Sequence, residues 1–154
     1  MLSELICEAG ATTLVRGGNL NIDIVHLVKE AMQKLGCGSA VDDSIDSHSP
    51  ICISLNSLSD MFVEVEGDQV MLWSKLTYGG EAHLSCVAVD LISHFLPRRS
   101  PAFICLRPLL TATEDGLLLH ATVRREYLLE VEKFVEALES FFSDLSATHA
   151  VLAR

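Results

Sequence analysis

The chain has 154 residues, 49% of them hydrophobic, with 11 Lys and Arg against 21 Asp and Glu for a formal net charge of −10. This length supports one domain with its own core, and the charge excludes a phosphate-backbone binder, which needs clustered cations, and disfavours anionic lipid surfaces. Mean hydropathy is high at +0.35, yet no apolar run approaches the ~18–20 residues that cross a bilayer, so the surplus implies a surface buried against another subunit or a partner.

Residues 1–19 carry no clear element and end in Arg16-Gly17-Gly18, a helix-breaking pair of glycines. Glu4 and Glu8, and the lack of basic residues ahead of the first apolar stretch, argue against a signal peptide. This segment reads as an N-terminal extension. It is either a disordered tail or sequence upstream of a true start near Leu20, since Arg-Gly-Gly is what a purine-rich ribosome-binding sequence encodes. Residues 20–154 read as a single domain.

Asn21 or Asp23 caps a helix that runs to Leu35. Ile24, Leu27, Val28, Ala31, Met32 and Leu35 recur at spacings of three and four, and Gly36 supplies the stop. A polar stretch from Gly38 to Pro50 leads into three strands, Ile51–Leu55, Met61–Glu66 and Gln69–Leu76. The last two form a hairpin across Gly67-Asp68.

A second helix lies between Gly79-Gly80 and Pro97, over 81–96. Leu84, Val87, Ala88, Leu91 and Phe95 share one side, and Ala82, Cys86, Val89, Ser93 and Leu96 lie almost opposite. One core cannot satisfy two apolar faces, so the second is assigned to a neighbouring subunit. Strands Ala102–Leu109 and Leu117–Arg124 follow, joined across Glu114-Asp115-Gly116. A last helix spans 126–147, with Leu128, Val131, Val135, Leu138, Phe142 and Leu145 inward and Glu132, Glu136 and Glu139 on the wet side. The order αβββαββα predicts an α+β fold with an antiparallel sheet.

Signatures of catalysis are sparse. The sequence has no phosphate-cradling glycine loop, no GxSxG and no HExxH. Asp46-Ser47-His48-Ser49 groups an acid, a hydroxyl and an imidazole, but adjacent side chains rarely converge on one atom, and a turn entering the first of the strands explains them better. His83, Asp90 and His94 share a stripe of the second helix, and i,i+4 spacing can hold a metal, yet a polar flank is the simpler reading. The five cysteines, Cys7, Cys37, Cys52, Cys86 and Cys105, are odd in number and irregularly spaced. They read as reduced, inert thiols rather than a disulfide or zinc framework. No cofactor is called for.

Asn21-Ile22-Asp23-Ile24-Val25-His26-Leu27-Val28, ending in Leu35-Gly36-Cys37, resembles the opening helix of the class IB type III secretion chaperones, the InvB/SpaK group. Ile45-Asp46-Ser47-His48-Ser49 followed by Ile51-Cys52-Ile53-Ser54-Leu55 is similar to that group's most recognisable stretch, and Asp68-Gln69-Val70-Met71-Leu72-Trp73 to its third strand. The likeness in motifs covers about residues 20–76. Beyond them it rests on element order and apolar pattern, and residues 1–19 have no counterpart.

The resemblance implies a secretion-chaperone-like fold and a bacterial cytoplasmic homodimer without catalytic activity or cofactor. It implies that the dimer binds N-terminal chaperone-binding segments of several type III effectors in extended form and delivers them to the export apparatus and its secretion ATPase. Candidate effector-binding residues are Leu27, Met32, Met61, Val63, Val70, Leu72 and Trp73, with ordinary core as the alternative for each. Candidate dimer residues are Ala82, Cys86, Val89 and Leu96. Two other functions stay open: a small thiol- or histidine-dependent hydrolase, and an adaptor subunit that binds a folded partner.

Overall fold

A computed structural model describes residues 6–10, 22–37 and 49–154, with side chains for the last two ranges. Its elements in chain order are β1 (Ile6–Gly10), α1 (Ile24–Lys34), β2 (Ile51–Leu55), β3 (Met61–Glu66), β4 (Gln69–Leu76), α2 (Glu81–Phe95), β5 (Leu109–Thr113), β6 (Gly116–Val123) and α3 (Val131–Leu152). From α1 onward this is the α+β order read from the sequence. The six strands form one antiparallel sheet in the order β1-β2-β3-β4-β6-β5. Pairing of β1 with β2 adds an edge strand where the sequence reading assigned no element.

Local chemistry sets the boundaries. The Asp23 carboxylate caps α1 by accepting from the His26 amide at 3.1 Å, and Gly36, with φ 79°, turns the chain away after its last turn. Strands β3 and β4 meet at Gly67-Asp68, with Phe62 opposite Trp73 and Val63 opposite Leu72. Across the sheet the period-two pattern directs one face inward. Ile51, Ile53, Met61, Val63, Val70, Leu72, Leu119 and Ala121 are buried beneath α1 and α3. Each large aliphatic side chain so buried contributes about 1.5–3 kcal/mol. From above, Met32, Phe134, Leu138, Phe141 and Leu145 close this core. Lys34 bonds Glu132 between α1 and α3, and the interaction lowers the Glu132 carboxyl below its usual range.

Two boundaries differ from the sequence expectation. The strand read at Ala102–Leu109 instead begins at Leu109, because the chain before it folds on itself. Ser100 N–H donates to Leu106 O at 2.6 Å, Leu106 N–H donates to Phe103 O at 3.0 Å, and Phe103 makes only an isolated bridge to Val123. Ala102 and Phe103 are nevertheless buried, so a turn yields the same apolar signal as a strand. The last helix starts at Val131, not Glu126, after a 3-10 turn at Arg125–Tyr127, and continues to Leu152, where Thr148, Val151 and Leu152 remain buried.

Helix α2 packs on α3 through Val87 and Leu91 and through a charge cluster in which half-buried His94, and Arg98 just past the helix, meet Asp144. Asp144 of α3 is fully buried. Its Oδ2 accepts from Arg98 Nη2 at 3.1 Å, while Oδ1 lies 2.7 Å from Arg98 Nε and 3.0 Å from His94 Nε2. The Nε contact is close enough for charge pairing but off the line of a directed hydrogen bond.

Candidate partner-binding surfaces

Both helices that cover the sheet, α1 and α3, lie on one side of it. The alternate residues of its strands therefore form the opposite, outer face. Strand register places Cys52, Phe62, Trp73, His120 and Leu109 in a single row across five strands. The Phe62 and Trp73 rings stack, with centroids 4.1 Å apart and 13° between planes. The Trp73 indole N–H donates to Glu64 Oε2 at 2.8 Å, which fixes the ring in plane. Beside it, His120 Nε2 lies 2.9 Å from Thr111 Oγ1, and burial holds the imidazole pKa below its usual value. Met71 and Leu118 flank the row, each half-buried. At the end of the row β5 is the edge of the described sheet and largely exposed, and a sheet edge can accept another strand.

A second surface lies at the start of α1. A cleft of about 310 Å³ is lined by Ile22, His26, Leu27, Leu128, Leu129 and Val131. Leu129 stands at its rim, 65% exposed. The cleft's mixture of aliphatic walls and the His26–Glu30 pair at 3.5 Å suits an apolar side chain on a polar backbone.

The outward side of α2 is a third. Ala82, Cys86, Val89 and Leu96 are all exposed, Val89 at 73% and Leu96 at 65%. Ile92, 60% exposed, joins them. It lies off the centre of the stripe that sequence spacing picked out, which is why the helical projection alone passed over it. On the other side of the helix, Val87 and Leu91 are buried, so the two-faced reading of this helix has a direct structural counterpart.

The sequence-derived effector-binding candidates divide by face. Met32, Met61, Val63, Val70 and Leu72 are core residues of this chain, on the side of the sheet that α1 and α3 cover. Leu27 is also buried but lines the α1 cleft. Trp73 lies on the outer face. Phe62 was not among the candidates, although the Gly67-Asp68 hairpin places it opposite Trp73.

Residues weighed for chemistry are engaged elsewhere. His83 Nδ1 accepts from the Gly79 amide at 2.9 Å, Asp90 pairs with Arg154 at 2.8 Å, and His94 faces Asp144. Among the described residues no three His, Cys, Asp or Glu side chains are grouped to hold a metal. Burial raises the Cys37 thiol pKa. Cys52 is raised first by burial and then by the neighbouring Asp60 carboxylate. Residues Asp46, Ser47 and His48 lie outside the described residues. No helix among the described residues is long and apolar enough to cross a membrane.

Comparison with known proteins adds an independent line. A family model described as the Invasion protein B family matches residues 36–114. Two relatives, each named surface presentation of antigens protein SpaK, come from Salmonella typhimurium (strain LT2) and Salmonella typhi. Each is 30% identical to this chain over 135 residues, which cover 87% of the chain and 98% of the relative.

Proposed function

The chain belongs to the Invasion protein B family, and from that premise we propose that it is a non-catalytic type III secretion chaperone of the bacterial cytoplasm. It binds N-terminal segments of several secreted effectors in extended form, keeps them competent for export and delivers them to the export apparatus and its ATPase. The observation that carries this reading is the outer sheet face, where stacked Phe62 and Trp73 lead across to the β5 edge. An extended segment gains affinity by resting side chains on such a platform and by adding its backbone to an open edge. Ordering it is unfavourable, so the contact must be broad.

The α1 cleft extends that surface. An apolar cargo side chain fits between Leu27 and Leu129, and the effector-binding set proposed from sequence narrows to Trp73 and Leu27, joined by Phe62, Met71 and Leu129. Two subunits associate through Ala82, Cys86, Val89, Ile92 and Leu96 of α2 and its C-terminus, which gives one effector segment a continuous path over two copies of the platform.

The test is binding of isolated effector N-termini of ~100 residues, the length a wrapping surface needs. Tight binding of the unfolded segment, with no binding of the folded effector domain, is expected. Binding of the folded domain alone would replace this reading with that of an adaptor.

A further inference from the structure

Charge is distributed unevenly along the chain. Residues 98–125 hold five arginines, Arg98, Arg99, Arg107, Arg124 and Arg125, against Glu114 and Asp115, a net of +3 in a protein whose total is −10. Those two carboxylates sit at the tip of the β5–β6 turn, whereas the arginines gather at its other end around the loop that joins α2 to β5.

Among the described residues, only Arg98 of these five pairs with a buried carboxylate, Asp144. Arg99, Arg107 and Arg124 spend donors on neutral carbonyls, and Arg125 is exposed. Arg99 Nη1 donates to Leu96 O at 3.2 Å and Arg98 O at 2.8 Å, Arg107 Nη1 donates to Phe95 O at 2.9 Å, and Arg124 Nε donates to Phe103 O at 3.1 Å. A guanidinium has five donors, so each keeps its positive charge and most of its fork for something else.

Apolar side chains stand among them. Ile104 and Leu106 are both exposed. Leu106 holds a φ of 61°, a left-handed conformation that favours glycine and is strained for a branched side chain. A sequence that keeps leucine there forgoes the easier residue, and such strain clusters where a side chain is used. Next to the loop, a cleft of about 250 Å³ is lined by Arg98, Arg99, Pro101, Tyr127, Glu136 and Ser140.

We propose that this arginine-rimmed loop is a docking surface for an acidic, aliphatic segment of a partner protein. Carboxylates pair with Arg99, Arg107 and Arg125, and aliphatic side chains pack on Ile104 and Leu106. Charge complementarity selects the partner, because a peptide that presents carboxylates beside leucines is matched here by cations beside apolar groups. Nucleic acid would meet the same arginines, but also the repulsion of the strongly acidic remainder. The surface is separate from the outer sheet face, and the proposal does not depend on the chaperone reading.

The test uses the full chain and a fluorescein-labelled fifteen-residue peptide of Glu and Leu, followed by anisotropy. The native protein is expected to bind it, to ignore the same peptide with Lys in place of Glu, and to bind more weakly as salt rises. The double variant Arg99→Gln, Arg125→Gln is expected to lose at least tenfold in affinity with its light-scattering mass unchanged. Leu106→Gly is expected to hold or raise the melting temperature while weakening the peptide, which a purely structural leucine would not do. Four results would each overturn the proposal: no binding by the native chain, equal binding by these variants, equal binding of a fifteen-base-pair DNA duplex, or a change in the number of associated chains, read by light scattering, in the double variant. Effector binding through Trp73 is measured separately, so the two surfaces succeed or fail independently.

Discussion

Phe62 and Trp73 face each other across the β3–β4 pair and stack at 4.1 Å, on the side of the sheet that α1 and α3 leave open. Aromatic pairs of this geometry contribute about 0.5–1.5 kcal/mol beyond their buried area.

Trp73 is the only tryptophan, so its emission reports this site alone. Addition of an effector N-terminal segment is expected to shift it to the blue as the indole loses water. Trp73→Ala is expected to weaken the segment at least tenfold, with Phe62→Ala acting in the same direction. An emission spectrum indifferent to a saturating segment would place the contact elsewhere.

On α2, Val89 stands in water at 73% exposure in the single chain. Val89→Asp should therefore change folding stability by no more than about 0.5 kcal/mol. If α2 joins two subunits, the same change buries an unpaired charge at their contact, and light scattering should record a monomer. A variant that keeps the native mass would reject this helix as the interface.

Asp144 answers two basic side chains from inside the protein. Asp144→Ala removes a fully buried carboxylate and its bond to Arg98, whose side chain is itself one-third exposed, so the loss is about 1.5–3 kcal/mol. Chemical denaturation should show that loss, whereas Asp90→Ala, at the exposed pair with Arg154, should change stability by under about 1 kcal/mol. Equal effects of the two variants would contradict the burial that separates them.

His120 contributes a pH dependence with a defined sign. Burial lowers its folded-state pKa, so below the ordinary value of about 6.5 the unfolded chain binds the proton more readily. The contribution to stability is complete above that pH and is lost as pH falls through it towards the folded pKa. His120→Gln should flatten this part of the stability profile between pH 7 and 5. A slope unchanged by the substitution would assign it to other groups.

Thiol reactivity separates a chaperone from a thiol enzyme. Raised pKa values leave Cys37 and Cys52 with less thiolate at neutral pH, so both should alkylate more slowly than exposed Cys86 and Cys105. Peptide mapping after brief iodoacetamide treatment reads the order. A hyper-reactive Cys52 would revive the hydrolase.

Helix α1, its Asp23 cap and the β3–β4 hairpin were legible because each depends on neighbours in sequence. The two sides of α2 were legible for the same reason, since helical spacing alone separates Val87 and Leu91 from Val89. Which face of the sheet the helices cover was not. Alternation marks Val70 and Leu72 as one set and Trp73 as the other, but it carries no sign, so the four strand candidates Met61, Val63, Val70 and Leu72 lie in the core. The insertion of β6 between β4 and β5 depends on pairing between residues far apart in sequence, from Leu76 with Leu117 to Val70 with Val123, which leaves no local trace. Asp144 sat within a helix pattern, and nothing near it in sequence announced Arg98 as its partner. The loop at 102–108 misled because buried Ala102 and Phe103 look alike in a turn and a strand.

The most direct measurement is the mass of the complex that forms when this chain is co-expressed with the first ~100 residues of an effector encoded nearby, a length suited to wrapping, read by size exclusion with light scattering. Two copies of this chain with one segment that stays sensitive to protease are expected, and loss of that complex with Trp73→Ala. A monomer that recovers no segment from any neighbouring effector would contradict both the extended-cargo surface and the α2 dimer.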